Sequence, residues 1–443
     1  MQVFIINLKS RSDRKKNIFC EFEGRQEFTL TIVEPVAHQI ASFSLWNTIK
    51  HIITVFADEN EYIVICEDDH SFTKEYSENM LMTLLEKASN RGADILLGGV
   101  SWFQDAVQVS TDLFWTNKFS GTQFIVVFKG FFERLITAEF DKYDTVDFII
   151  SSISNKVFFA YPFISVQKDF GYSDVTFKNN IKGRVEELFI GTFERLSLLK
   201  KIALHYDRRR IKTTQKELNK ITIPTYIINL VDRTERLYHI QEQFVKRNEF
   251  DVTIVEAEKH IIGAVGLWLS IRKVIQIAEQ KEEDVVIICE DDHEFTEQYT
   301  VDYLLTNIIE AHQQGVDYLS GGASTFENAL KIAPNRYWVG SCRATQFIII
   351  FRKFFRKILD EPFDNTIIAD IRLSEMTSNK MILYPGISVQ KDFGYSDVTA
   401  AHSGDKNLVS NMFMETRDRL KKISLVYENL ASLGETAKKS NGL

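Results

Sequence analysis

Four cysteines in 443 residues, with no CxxC pair among Cys20, Cys66, Cys289 and Cys342, leave little room for a disulfide framework or a cysteine-ligated zinc site. Two of them end apolar runs, so all four read as free structural thiols in a reducing compartment. There is no Gly-rich dinucleotide fingerprint, no GxxxxGK[ST] phosphate loop, no GxSxG elbow and no HExxH, which argues against dehydrogenases, P-loop kinases, α/β-hydrolases and zincins. Long basic blocks are missing too, although local basic patches stay open. The formal charge is -8 with Lys and Arg dispersed, so no electrostatic footprint for a phosphate polymer is visible and nucleic acid is not an expected partner. The apolar run Met1 to Leu8 is too short for a signal peptide, and no later stretch is long enough to span a membrane. The expectation is a soluble, cytoplasmic protein, with peripheral membrane contact left open and the oligomeric state unspecified.

What is present is a repeat. Phe4-Ile-Ile-Asn-Leu8 returns as Tyr226-Ile-Ile-Asn-Leu230, Ile63-Val-Ile-Cys-Glu-Asp-Asp-His70 as Val286 to His293, and Thr122-Gln-Phe-Ile-Val-Val-Phe128 as Thr345 to Phe351. The dodecamer Ser165-Val-Gln-Lys-Asp-Phe-Gly-Tyr-Ser-Asp-Val-Thr176 recurs letter for letter as Ser388 to Thr399. A period this long means duplication of a whole domain of roughly 200 residues. Within each copy, runs rich in Ile, Val and Phe alternate with helical periodicity, as at Ser77 to Ala88 and Asp302 to His312, which predicts βαβ units around a mostly parallel sheet. Arg184 to Arg210 and Met412 to Leu430 read as amphipathic helices closing the copies. The expected layout is copy one at 1–210, a polar linker at 211–223, copy two at 224–430 and a frayed tail at 431–443.

Three constellations carry chemistry. Tyr62 to Cys66 and Val285 to Cys289 predict buried strands, so Glu67, Asp68, Asp69 and Glu290, Asp291, Asp292 emerge at strand carboxyl ends, where open α/β sheets bind ligands. Adjacent carboxylates repel and call for a cation. Oxygen ligands suit Mg²⁺ or Mn²⁺, bound through one or two carboxylates plus substrate phosphates, with Glu67, Asp69, Glu290 and Asp292 as the metal candidates. The alternative is a solvated turn in which Asp69 or Asp292 caps the next helix. Arg11 with Arg14, and Arg233 with Arg236, share one face of a starting helix and, together with Asn7 or Asn229, address a diphosphate or ribose, unless they form an ordinary solvated face. The dodecamers, with Gln167, Asp169, Ser173 and Asp174 (Gln390, Asp392, Ser396 and Asp397 in copy two), fit a loop crossing the mouth of the site or a set of buried turns. Asp147 and Asp370 are candidates for a base or a helix cap. His70 and His293 either complete a metal shell or pack.

The opening Ile-Ile-Asn-Leu-x-x-Arg-x-x-Arg, at Ile5 to Arg14 and Ile227 to Arg236, followed after a strand by Glu-Asp-Asp, resembles glycosyltransferase family 25, which includes lipopolysaccharide and collagen galactosyltransferases. The resemblance covers most of both copies and implies two tandem GT-A-like, Rossmann-like α/β domains. It also extends to Asp370, where the family has an acidic residue before a helix, and to Gln390, where it has a glutamine near the domain's end. The family's Gly-x-x-Gly-Cys-x-x-Ser-His appears in copy two as Gly263-Ala-Val-Gly-Leu-Trp-Leu-Ser-Ile271, without its cysteine and histidine. Copy one, Ala41-Ser-Phe-Ser-Leu-Trp-Asn-Thr-Ile49, keeps almost none of it, so copy two is the expected centre of activity.

By that resemblance the chain transfers a sugar, such as galactose or another hexose, from a UDP-sugar to an acceptor hydroxyl on a glycan, lipid-linked or protein acceptor, in bacterial surface glycan or lipopolysaccharide assembly. Glu290 and Asp292, with Glu67 and Asp69 in copy one, hold the metal. Asn229, Arg233, Arg236 and Asp291, with Asn7, Arg11, Arg14 and Asp68, seat the nucleotide. The base is sought among Asp370, Asp392, Asp147 and Asp169. The alternatives are an inactive sugar-nucleotide-binding scaffold and a metal-dependent phosphohydrolase or nucleotidyltransferase.

Overall fold

The computed structural model describes the chain except for residues 57–59, 173–178, 180, 208–220, 344, 363, 365, 367, 395–406 and 432–443. Most of the expected linker, nearly all of the expected tail, and Ser173, Asp174, Ser396 and Asp397 of the dodecamers lie outside the described residues. Contacts divide the chain into two compact units, one built on Met1–Lys200 and the other on Lys201–Ser424.

Each unit is an α/β domain around an eight-stranded sheet, and the two sheets have the same strand order. In copy one the order is Thr29–Val33, Gln2–Ile6, Tyr62–Glu67, Phe124–Phe128, Ile95–Leu97, Val157–Ala160, Leu113–Thr116, Ala106–Ser110. In copy two Phe250–Glu256, Ile223–Asn229, Val285–Glu290, Phe347–Phe351, Tyr318–Ser320, Lys380–Leu383, Arg336–Arg343 and Thr325–Ala333 take those places. The βαβ alternation describes one half of the sheet. The strand pairs beginning at Gln2 with Thr29, Gln2 with Tyr62, and Ile95 with Val157 are parallel. Phe124–Phe128 runs antiparallel between Tyr62–Glu67 and Ile95–Leu97, and the far edge is an antiparallel hairpin. The sheet is therefore mixed rather than mostly parallel. A short apolar run such as Phe124-Ile-Val-Val-Phe128 is buried on both faces whichever way it points, and its composition carries no direction.

The helices form where periodicity and capping agree. Glu78–Ser89 starts at Ser77, whose hydroxyl accepts from the Met80 amide, and buries Leu81, Leu84, Leu85 and Ala88 along one stripe. Val301–Gln313 repeats this with Thr300 as its cap. The long helices Arg184–Asp207 and Leu408–Val426 cover equivalent segments: Thr192 and Thr416 donate to the carbonyls of Ser101 and Ser324. Among the described residues no helix is long and apolar enough to cross a membrane.

One close approach positions the site. Gly98 and Gly99 follow the strand Ile95–Leu97, and Gly321 and Gly322 follow Tyr318–Ser320. A Cβ on Gly99 would lie 2.3 Å from the Ser165 carbonyl oxygen, and one on Gly322 would lie 2.1 Å from that of Ser388. Only glycine lets the first strand of each dodecamer reach this depth. That strand, Ser165–Gln167 or Ser388–Gln390, then pairs antiparallel with His70–Phe72 or His293–Phe295, immediately after the acidic cluster.

Candidate functional site

Glu67 and Glu290 end their strands, and the two aspartates that follow form a tight turn into the short strands at His70 and His293. The middle aspartate is satisfied by the protein itself. Asp68 accepts from Asn7 Nδ2 at 2.9 Å and from Arg14 Nη1 at 3.0 Å, and Asp291 accepts from Asn229 Nδ2 and Arg236 Nη1 at the same distances. Arg14 also reaches Asp69 Oδ2 at 3.0 Å, and Arg236 reaches Asp292 Oδ2 at 3.3 Å. Both guanidiniums are buried. Two residues expected to address a diphosphate thus act as internal counter-charges, a role the sequence had suggested for a metal. The arginines one helical turn earlier are more open: Arg11 and Arg233 lie 3.7 and 3.9 Å from Asp68 and Asp291.

The identical dodecamer closes over this pair. Lys168 N and Lys391 N donate to the Asp69 and Asp292 carbonyls at 2.7 and 2.8 Å. Gln167 Nε2 donates to Asp69 Oδ2 at 2.8 Å, and Gln390 bonds the Asp292 side chain. Arg14 donates to the Tyr172 carbonyl at 2.7 Å and lies 4.9 and 4.4 Å from the Phe170 and Tyr172 ring centroids; Arg236 lies 4.8 Å from Phe393. The segment's aromatic and polar letters therefore clamp a buried guanidinium. Asp169 accepts from Gly171 N and Gly183 N, each at 2.7 Å, and Asp392 from Gly394 N at 2.7 Å. These two base candidates organise turns.

Two carboxylates of each cluster remain under-neutralised. Burial, aided by the charge of Asp292, pushes Glu290 up to about 8, although the Thr345 hydroxyl, 2.6 Å away, opposes the shift. Burial likewise pushes Glu67, held by Thr122 at 2.5 Å, up to about 8, with the charge of Asp69 adding to it. Asp292 rises to about 6 through burial, offset by Arg236, and Asp69 is raised by burial. Among the described residues Asp69 Oδ1 and Asp292 Oδ1 are buried without a hydrogen-bond partner, and a buried acceptor in this state is costly unless something occupies it. Glu67→Gln should therefore flatten the pH dependence of stability in chelator-containing buffer. A folded-state pKa raised from 4.5 contributes stability below the unfolded value, and that stability is lost as pH rises towards 8. We expect the wild-type to lose on the order of 2 kcal/mol more than the variant between pH 5 and pH 8.5, read from urea midpoints.

His70 and His293 do not join a metal shell. Nδ1 of each bonds a dodecamer serine, Ser165 at 2.7 Å and Ser388 at 2.8 Å, and the rings pack against Phe72 and Phe124 and against Phe295 and Phe347. Burial lowers His70 to about 3 and His293 well below its usual value, so both are neutral core groups. Among the described residues no three His, Cys, Asp or Glu side chains form a metal-ligating group.

In copy two the strand ends open into a cleft of about 1130 Å³. It gathers Glu290, Asp291, Asp292, Arg233, Arg236, Asp370, Gln390 and Asp392, residues as far apart as 159 positions. Asp370 accepts from the next amide at 2.7 Å, as a helix-start carboxylate does, yet its charge also acts on Glu290. Asp147 accepts from Thr145 Oγ1 at 2.5 Å and Phe148 N at 3.0 Å. The sequence reading missed Arg343, which lines the cleft with no side-chain partner among the described residues, and the acid-holding threonines Thr122 and Thr345. Arg343 sits where copy one has Ser120, each two residues before the repeated Thr-Gln-Phe.

No family model matches the chain, and no curated protein matches it. Solved structures do show partial likeness. A197 from STIV aligns at 14% identity with a TM-score of 0.29, over 40% of this chain and 87% of that one. Apo UDP-glucose pyrophosphorylase aligns at 10% and 0.26, over 51% and 86%. The mannosyltransferase PcManGT from Pyrobaculum calidifontis, in complex with GDP-Man and Mn²⁺, aligns at 9% and 0.23, over 56% and 84%. At these scores the likenesses carry no functional argument.

Proposed function

We propose that copy two is a metal-dependent glycosyltransferase using a nucleotide-sugar, with UDP-sugars the first donors to test and surface glycan or lipopolysaccharide assembly the setting. The observation that carries this reading is the buried Asp292 Oδ1, which has no hydrogen-bond partner among the described residues, beside Glu290 at the floor of the cleft. The chemistry of the pair fits a hard divalent cation, Mn²⁺ or Mg²⁺, that takes one or two protein carboxylates and completes its shell with substrate phosphates. Bound there, the cation would supply Lewis-acid neutralisation of the departing diphosphate.

The chain's own residues do the rest. Arg233 and Arg343 seat the diphosphate, since Arg236 is held by Asp291 and Asp292. Asn229 and Asp291 fix that arginine and shape the floor. Asp370 takes the proton of the acceptor hydroxyl as its oxygen attacks the anomeric carbon and the bond to the diphosphate breaks; Asp392 holds the turn beside it. Copy one keeps the floor, with Glu67, Asp69, Asn7, Arg11, Arg14 and Asp68, and carries Asp147 and Asp169 in the corresponding places. Its Ser120 removes one diphosphate-seating cation.

The buried Arg236 favours a second reading, in which the internal guanidinium replaces the metal and the module binds sugar nucleotides without turning them over. Incubating the intact protein with a panel of nucleotide-sugars, with and without Mn²⁺, separates the two. Metal-dependent nucleoside diphosphate release supports transfer. Nucleotide binding without release supports the binding module, and phosphate or pyrophosphate among the products points to phosphohydrolase or nucleotidyltransferase chemistry.

A further inference from the structure

Copy one carries an aromatic corner that its core does not require. On the two-residue strand Trp102–Phe103 the side chains alternate: Phe103 is fully buried, while Trp102 faces outward at 38% exposure. On the helix Val146–Ile153 the buried stripe is Val146 and Ile150, which leaves Phe148 outward at 50% exposure. The two rings, 46 positions apart in sequence, meet with centroids 6.4 Å apart and planes at 64°. The Trp102 indole N–H has no partner among the described residues, and Asp147 Oδ2, on the residue before Phe148, accepts nothing among them. Copy two has Thr325 and Ile371 in the same places, so the corner belongs to copy one alone.

We infer that Trp102 and Phe148 form a binding corner for a neutral saccharide. A pyranose ring presents C–H groups on its faces and hydroxyls at its rim, and two rings set at an angle, one of them carrying an indole donor at its edge, complement both surfaces. A nucleobase is planar on both sides and would be sandwiched by parallel rings, which these are not. Ser120, paired with Trp102 in the hairpin, replaces the arginine that copy two offers to an anion, and the nearby Arg195 is engaged with the Phe103 carbonyl and ring. A site of this kind gives copy one a role in holding a glycan that does not depend on its own turnover, and the inference stands apart from the transfer reading of copy two.

The test is to titrate the full-length protein with galactosyl, glucosyl and mannosyl di- to tetrasaccharides, by calorimetry, against Trp102→Ala, Trp102→Phe and Phe148→Ala. Both positions face solvent, so all variants should keep the wild-type circular dichroism and the wild-type nucleotide behaviour of copy two. We expect at least one saccharide family to bind, Trp102→Ala and Phe148→Ala each to weaken it by about tenfold or more, Trp102→Phe to recover part of the loss, and UDP not to compete. No binding by any saccharide, unchanged binding in Trp102→Ala, or displacement by UDP would overturn the assignment. Nucleoside diphosphate release by copy two would be untouched by that failure.

Discussion

Arg236→Leu should destabilise copy two by about 3–5 kcal/mol, because it leaves the buried Asp291 and the largely covered Asp292 side by side without the guanidinium that bonds both. The pair sits in the protein interior, with the Arg236 and Asp291 side chains each 6% exposed, so the usual discount for a solvated ion pair does not apply. The loss has a pH signature. Asp292 already ionises only near 6, and without the arginine its carboxyl holds its proton to higher pH still. The penalty therefore shrinks below pH 6, where the carboxyl is neutral, and is full at pH 8. Urea unfolding at the two pH values checks both magnitude and sign. Equal destabilisation at both would mean that packing of the guanidinium against Phe393, rather than charge, is what the residue contributes.

Asp292→Asn should leave the fold near wild-type and reduce metal-dependent nucleoside diphosphate release by at least about a hundredfold, the scale on which removing one charge-stabilising group acts in other enzymes. The amide keeps the size of the side chain. It removes the negative charge that the buried Oδ1 offers to a cation. Asp69→Asn is the matching change in copy one. The cleft, Arg343 and the charge of Asp370 on Glu290 all belong to copy two, so the copy-one change should cost less than about twofold. Comparable losses from both would assign turnover to both copies.

Much of this architecture was legible in the sequence, and the residues show why some was not. The strands ending at Glu67 and Glu290 and the helices after Ser77 and Thr300 follow from local patterns, apolar runs and capping hydroxyls, which need no knowledge of distant partners. The dodecamer's glycine and mixed polarity left a loop over the site and a set of buried turns both open. What stayed hidden needed a third dimension. Arg14 and Asp68 are 54 positions apart, so a pair of arginines on a helix face gave no sign that one of them turns inward. The letters Gly98-Gly99 carry no sign of the Ser165 carbonyl that packs against them. The antiparallel insertion of Phe124–Phe128 has no signature in its own letters, and the letters around His70 leave a metal ligand and a packed ring equally open.

The central claim is that copy two breaks the bond between sugar and diphosphate. Phosphorus NMR of a UDP-sugar incubated with the full-length protein and Mg²⁺, run in parallel with Asp292→Asn, tests it most directly. The account predicts growth of intact UDP resonances that depends on the metal and is lost in the variant. Resonances of UMP with sugar phosphate, of pyrophosphate, or of unchanged donor at every metal concentration would contradict it.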